Sequence, residues 1–274
     1  MKIVTYNIQY WTGMDGIQDP HRTIQTILEM DPDILALQEV AHPLPFQDRS
    51  ALDVLAQSLN AEYVFAEIWP AGTFDKVPQP MGLALLSRYP IVAYANHRLT
   101  HEGPGDTRRL LEVRILLPDE RPWTVYATHL EWRWEDVRVQ QVRSLLQWTT
   151  RDRGKPHLLL GDFNTVHPDD VKDFETQGGN WAEFAAAQPH PDFIQATPHP
   201  QALAHVVKAG YVDAFRTVGE GDGRTYTTER PTLRLDYCFV DPALHTALHR
   251  ARRWDTERGR IASDHFPLYV EMEA

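Results

Sequence analysis

The sequence predicts a layered α/β fold, two packed mixed β-sheets with helices on their outer faces. Three patterns carry that reading. Short continuous apolar runs, Ile34-Leu35-Ala36-Leu37 and Leu158-Leu159-Leu160, have the texture of strands buried on both faces. From Tyr63 to His129, strand-like segments follow one another. Amphipathic helical segments stand before and after that stretch, as expected where helices cover the outside of paired sheets.

In chain order, Ile3 to Ile8 reads as a strand. Asp19-Pro20 then supplies an N-cap and a proline at the first helical position. Ile24, Ile27 and Leu28 keep helical spacing until Met30-Asp31-Pro32 ends the helix. The buried strand Ile34 to Leu37 follows, then a helix carrying Leu52, Leu55, Ala56 and Leu59 on one face. Strands are expected at Tyr63 to Ala66, Gly82 to Leu86, Ile91 to Ala95, Leu110 to Leu117 and Trp123 to His129. A helix from Glu135 to Thr149 places Val139, Val142, Leu145 and Leu146 together. The strand His157 to Leu160 leads into a long polar loop. A helix ending near Ala209 follows, with Gly210 as its C-cap. Strands Leu235 to Val240 and Leu268 to Met272 complete the pattern.

Length and composition suit one large domain over 1–274, with 42% hydrophobic and 24% charged residues and no linker or repeat. The net charge of −11, from 27 basic and 38 acidic residues, argues against a long polyanionic partner unless positive charge is gathered locally. Arg108, Arg109, Arg133 and Arg138 are the candidates for such a cleft. The one cysteine, Cys238, lies in the apolar run Tyr237-Cys238-Phe239-Val240, so no intrachain disulfide forms and a buried thiol is expected. No apolar run reaches membrane-spanning length, and the default expectation is a cytoplasmic enzyme.

Six motifs end apolar runs and carry polar groups. They are Thr5-Tyr6-Asn7-Ile8, Leu37-Gln38-Glu39-Val40, Thr128-His129-Leu130, Gly161-Asp162-Phe163-Asn164, Arg234-Leu235-Asp236-Tyr237 and Ser263-Asp264-His265. Carboxylates, amides and imidazoles at strand ends can hold a hard cation and move a proton on and off a phosphate. Singly, each has a plain structural use. Glu39 suits a helix cap or salt bridge, Asn7 a turn, and Asp162 with Asn164 an Asx turn. A carboxylate ending a buried strand is costly without a partner, however. With Asn7 beside it and Asp264 at the far end of the chain, Glu39 reads as a cation ligand. Mg²⁺, with Mn²⁺ as a substitute, suits such a sparse oxygen set, and no His/Cys cluster has zinc spacing. Alternation puts Asp162 and Asn164 on one side with Phe163 in the core.

On these motifs, from Lys2 to about Met272, the chain resembles the endonuclease/exonuclease/phosphatase superfamily of metal-dependent phosphoesterases. The resemblance implies a four-layer sandwich formed from two sheet-and-helix halves. It implies that Asn7 sits in or beside the shell of the cation held by Glu39 and Asp264. Asp162 would orient or deprotonate the attacking water, with Asn164 holding water or a phosphate oxygen. Asp236 would pair with His265, fixing its tautomer and raising its pKa. His129 would lie across the scissile phosphate and help the leaving group.

Most of the 13 histidines must be bystanders. His21, His42, His167, His190 and His199, next to Pro or Asp, are expected at the surface. Specificity is expected in loops at the catalytic edge: Trp69 to Pro80, His101 to Arg109, and the acidic stretch His167 to Asn180. Glu131-Trp132-Arg133-Trp134-Glu135 follows His129, so Trp132 and Arg133 are candidate substrate-binding residues, with Arg109; the segment equally suits the packed start of the next helix. The expected activity is water attack on a phosphodiester or phosphomonoester, with a small-molecule or lipid-headgroup substrate favoured over nucleic acid. The alternatives are a nuclease and a catalytically silent binding protein on the same fold.

Overall fold

The computed structural model describes residues 1–103, 105, 107–186 and 200–274. Strands and helices are numbered here along the chain. One sheet has the order β12 (Gly219–Glu220), β14 (Leu248–Arg253), β15 (Leu268–Met272), β1 (Lys2–Asn7), β2 (Ile34–Ala41), β6 (Met81–Ser87), β5 (Glu62–Trp69). The other has the order β11 (Val212–Asp213), β13 (Asp236–Val240), β10 (His157–Asp162), β9 (Pro122–His129), β8 (Arg108–Leu116), β7 (Ile91–Leu99). A small hairpin joins β3 (Pro45–Phe46) to β4 (Arg49–Ser50). Each large sheet holds a parallel pair near its middle, β1 with β2 and β9 with β10, flanked by antiparallel neighbours.

Strand alternation builds the layers. Ile3, Ile34 and Leu83 from the first sheet meet Val113, Val125, Leu158 and Val240 from the second in a core between the sheets. The intervening residues Val4, Tyr6 and Leu35 face outward against Ile24, Ile27, Leu52 and Leu55 of α1 (Pro20–Met30) and α2 (Ala51–Leu59). Tyr126, Leu159 and Phe239 face α3 (Glu135–Thr149) and α6 (Ala202–Lys208) through Val142, Leu145, Leu203 and Val206. Each such fully buried aliphatic side chain contributes about 1.5–3 kcal/mol. The result is the four-layer arrangement, helix–sheet–sheet–helix. Cys238 is buried between the sheets, where burial pushes its thiol far up.

The helix signals hold. Asp19 caps α1 by accepting from the His21 amide at 3.0 Å, Pro20 opens it, and Asp31 ends it in a left-handed conformation. Gly210, at φ 98, takes the left-handed turn after α6. Several expectations need correction. The polar loop after β10 contains α4 (Pro168–Thr176) and α5 (Trp181–Ala186). α4 is capped by His167, whose Nδ1 accepts from the Asp169 amide, so His167 is buried rather than a surface residue. His42 is half-buried against Phe65, while His21 is exposed. His190 and His199 lie outside the described residues. β14 was not expected, because its sequence Leu-His-Arg-Ala-Arg-Arg has too little apolar alternation. Two short helices, α7 (Ala214–Val218) and α8 (Gly259–Ala262), complete the chain. No helix among the described residues is long and apolar enough to cross a membrane.

Candidate active site

The same alternation that fills the core carries polar groups to its edge. Val125 and Ala127 lead to His129, Leu158 and Leu160 to Asp162, and Val240 and Cys238 back to Asp236. Asp162 is the register partner of both His129 and Asp236, so three neighbouring strands bring these side chains to one place. Gly161 makes the approach possible. At φ 147, a Cβ there would stand 2.0 Å from the Thr128 carbonyl oxygen, so only glycine fits between β10 and β9. In the first sheet, Ile3 leads by alternation to Asn7. Its Nδ2 donates across to Asp162 Oδ2 at 3.0 Å and to Glu39 Oε1 at 3.3 Å.

Glu39 arrives by a different route. Leu35 and Leu37 face the helices, and strict alternation would send Glu39 with them. Instead Glu39 takes φ 56, and the β2–β6 register slips between Leu37 and Val40. This β-bulge turns the carboxylate toward the cleft and returns Val40 to the helix side. Asp264 follows β14 and α8, next to Ser263, whose hydroxyl donates to the Asn7 carbonyl at 2.7 Å.

Around Asp162 the hydrogen bonds are directional. Its Oδ1 accepts the Asn164 amide at 2.9 Å, which is an Asx turn, and Asn164 Nδ2 donates to the Leu130 carbonyl. The turn and the cleft-lining position therefore coexist. His265 Nδ1 lies 2.8 Å from Asp236 Oδ2, and its Nε2 lies 3.7 Å from Asp162 Oδ2. His129 Nε2 is 3.6 Å from that same oxygen. The two imidazoles differ in charge. Burial disfavours the His265 imidazolium, but Asp236, Asp162 and Asp264 outweigh it and lift its pKa to about 10. His129 is pushed well below the ordinary range by burial, then by Arg108 and His265, and is neutral at neutral pH.

Burial, then Asp264, lifts Glu39 to about 7, and burial also raises Asp264 and lifts Asp162 to about 6. Two groupings could take a cation. Asp162, Asp236 and His265 offer ligand atoms within 4.8 Å of one another. That trio already contains its own cation, the His265 imidazolium. Glu39 and Asp264 form the other grouping: Asp264 raises Glu39, and although His265 lowers both, burial still leaves both carboxyls raised, a state a cation would relieve. As placed, Asn7 turns its nitrogen to Glu39 and Asp162 and its oxygen to the Gln9 amide at 3.1 Å, so it fixes those two carboxylates relative to each other.

These groups open into a cleft of about 600 Å³ that also touches Tyr10, Trp69, Phe74, Lys76, Met81, Arg108 and Trp132. Of the expected substrate contacts, Trp132 lines it. Arg133 is exposed, its guanidinium stacked 4.4 Å over Trp132, and Arg109 lies outside the lining, which takes Arg108 instead. Arg138 is buried on Glu135, which also caps α6 by accepting from Gln201 and Ala202. The Glu131–Glu135 segment therefore serves both readings, cleft wall and packed helix start. The acidic stretch is partly spoken for, since Asp170 pairs with Arg216 and with buried Arg234. Tyr10 carried no sequence signal, and Arg108 was expected only as one of four arginines of a local basic cleft, not as a substrate contact. Tyr10 sits in a turn without turn-type residues, and Arg108 adjoins an arginine of identical type.

A family model described as Endonuclease/Exonuclease/phosphatase family matches residues 4–265. The chain belongs to this family. Its members include phosphatases and nucleases and are generally metal-dependent. Among curated proteins, the chain is 28% identical to uncharacterized protein YbhP of Escherichia coli (strain K12), over 93% of this chain and 87% of YbhP. Among solved structures, it is similar to the mannosyl-6-phosphatase Bt3783 of Bacteroides thetaiotaomicron, with a TM-score of 0.69 and 18% identity over the whole of both chains. It is also similar to the 3′ phosphatase NExo from Neisseria bound to product DNA hairpin, with a TM-score of 0.67 and 21% identity, again over both whole chains. At these identities the two structural likenesses establish the fold.

Proposed function

We propose that the chain is a divalent-metal-dependent phosphoesterase, one catalytic domain over residues 1–274, acting on a small-molecule or lipid-derived phosphoester. The observation that carries this reading is the meeting of Asn7, Glu39, Asp264, Asp162, His129 and His265 in one cleft, with Asp236 buried behind His265 and paired to it. Glu39 and Asp264 would hold Mg²⁺ or Mn²⁺, with Asn7 fixing Glu39 relative to Asp162. When bound, such an ion supplies positive charge to a phosphate oxygen and lowers the pKa of water.

The chain's own groups do the rest. Asp162 keeps Oδ1 on the Asn164 amide and offers Oδ2 to an attacking water, whose proton it takes. His265, held as an imidazolium by Asp236, donates from Nε2 to a phosphate oxygen and offsets charge building on the phosphorus centre. His129, neutral, offers the leaving oxygen a hydrogen bond rather than a charge. That arrangement suits a leaving group that departs without full protonation.

The cleft supports a small substrate. About 600 Å³ with Trp69, Phe74, Met81 and Trp132 in its walls is a small-molecule site. Among the described residues its lysine and arginine lining is Lys76 and Arg108, few cations for a strand of phosphates in a protein of net charge −11. The nuclease reading retains one point in its favour, because the pairing of Asp170 weakens the repulsion once expected from the acidic stretch. The test compares turnover of 4-nitrophenyl phosphate, bis(4-nitrophenyl) phosphate and a phospholipid with cleavage of plasmid DNA. It runs with Mg²⁺ or Mn²⁺ at near-physiological salt. Faster turnover of the small or lipid esters is expected. DNA cleavage without small-ester turnover would establish the nuclease instead, and no hydrolysis of anything would leave a silent binding protein.

A further inference from the structure

Tyr10 lines the cleft beside Asn7, Glu39 and Asp264, in an unusual backbone. Gln9, Tyr10 and Trp11 stand at φ 44, 46 and 67, three successive non-glycine residues in the left-handed region. Glutamine, tyrosine and tryptophan are costly there, unlike glycine or asparagine. Runs of this kind persist where surrounding structure enforces them, and they gather at functional sites. Both flanks are enforced. Gln9 donates its amide to Asn7 Oδ1, Trp11 is fully buried with Nε1 on the Ala41 carbonyl at 3.0 Å, and Gln18 holds the Tyr10 carbonyl.

The Tyr10 side chain is the part left over. Its ring packs half-buried against the inter-sheet core, and among the described residues its hydroxyl has no hydrogen-bond partner. Burial, then Glu39 and Asp264, raises its pKa, so the hydroxyl keeps its proton. The floor next to it is rich in acceptors, the carboxylates of Glu39, Asp162 and Asp264. The Asn7 amide donor there is already engaged by Asp162 and Glu39. An incoming phosphate needs donors at that end, and a phenol supplies one without adding charge.

We propose that Tyr10 is a substrate-contacting catalytic residue, its hydroxyl donating to a phosphate oxygen on the Glu39–Asp264 side of the cleft. The proposal rests on the phosphoesterase reading above. The competing explanation is that the turn exists only to bury Trp11, in which case the hydroxyl is dispensable.

Tyr10→Phe removes the donor and keeps the ring. With Mn²⁺ present, kcat and KM for 4-nitrophenyl phosphate and bis(4-nitrophenyl) phosphate are compared with the parent, together with the calorimetric Kd for inorganic phosphate. The expected result is a kcat lower by about tenfold, KM within about twofold, phosphate binding weaker by about fivefold, and an unchanged Tm. Tyr10→Leu, which keeps an apolar body, should lose as much, guarding against an effect peculiar to phenylalanine. Unchanged kcat and unchanged phosphate affinity in Tyr10→Phe would overturn the proposal. If the parent turns over neither ester, kcat is read on whichever phospholipid or DNA substrate it does cleave; if it cleaves none, the phosphoesterase reading fails and the catalytic role of Tyr10 is overturned with it, the phosphate titration then reading only whether the hydroxyl binds phosphate.

Discussion

Replacing Asp236 with asparagine removes one charge from a pair that the fold buries almost completely. His265 Nδ1 lies 2.8 Å from Asp236 Oδ2, and side-chain exposures are 5% and 0%. Burial opposes the imidazolium, yet the three neighbouring carboxylates lift its pKa from 6.5 to about 10, about 3.5 units. At 1.36 kcal/mol per unit, that is about 5 kcal/mol in favour of the charged ring. Asp236 is the foremost favourable partner, so in Asp236→Asn the ring should titrate well below its parent value. The sign of the stability effect follows. A pKa raised by folding stabilises fully below 6.5, and the contribution is lost as pH climbs through about 10. The parent should therefore lose stability from pH 6.5 to 10 through this group. The variant should lack most of that slope and be less stable at pH 7 by about 2–4 kcal/mol. Histidine ¹³C–¹H NMR titration of the metal-free protein reads the pKa, and urea melts at pH 6, 8 and 10 read the slope. A parent His265 titrating near 6.5, or a variant ring still titrating near 10, would refute the reasoning.

Burial and Asp264 lift Glu39 from 4.5 to about 7, so its contribution to stability is lost over that window as pH rises. Glu39→Gln should make the metal-free protein more stable at pH 8 by about 1–3 kcal/mol and abolish most of the Tm rise on adding Mg²⁺ or Mn²⁺; a less stable, fully metal-responsive variant would count against the site. Gly161→Ala puts a methyl 2.0 Å from the Thr128 carbonyl oxygen and should cost about 3 kcal/mol or more by denaturant melts, whereas a neutral effect would mean β9 and β10 are not so closely paired. Trp132→Ala, in the cleft wall, should raise KM severalfold with kcat held within about threefold, and steady-state kinetics showing the reverse pattern would move Trp132 out of substrate binding.

The strands, the main helices and the layering were legible because apolar alternation and caps such as Asp19-Pro20 are local signals. Asp162, Asp236 and His129 were legible for the same reason, since each ends an apolar run whose parity already points between the sheets. Glu39 shows the limit of parity. Its motif stands out in the sequence, but the side it faces depends on a left-handed bulge that no glycine marks. α4 had its N-terminal signals, His167 and Pro168 before Asp169 and Asp170, yet only Val171 of that helix is buried, so no periodicity supported them. The buried role of His167 was hidden with it. Arg108 and Arg109 cannot be separated by composition; the cleft selects one through tertiary packing over Trp69 at 4.5 Å. Tyr10 depends on a turn enforced by Trp11 and Asn7, and such enforcement appears only once the strands are assembled.

Asp162 is the group on which the proposed chemistry turns, because its Oδ2, the oxygen assigned to the water, accepts from the Asn7 amide and lies within 3.7 Å of both imidazoles. The most direct measurement is kcat for bis(4-nitrophenyl) phosphate at saturating Mn²⁺, for the parent and for Asp162→Asn, each repeated in excess chelator. A metal-dependent parent whose kcat falls about a hundredfold or more in the folded variant is the predicted result. Near-normal kcat in Asp162→Asn, or full parent activity in chelator, would contradict it.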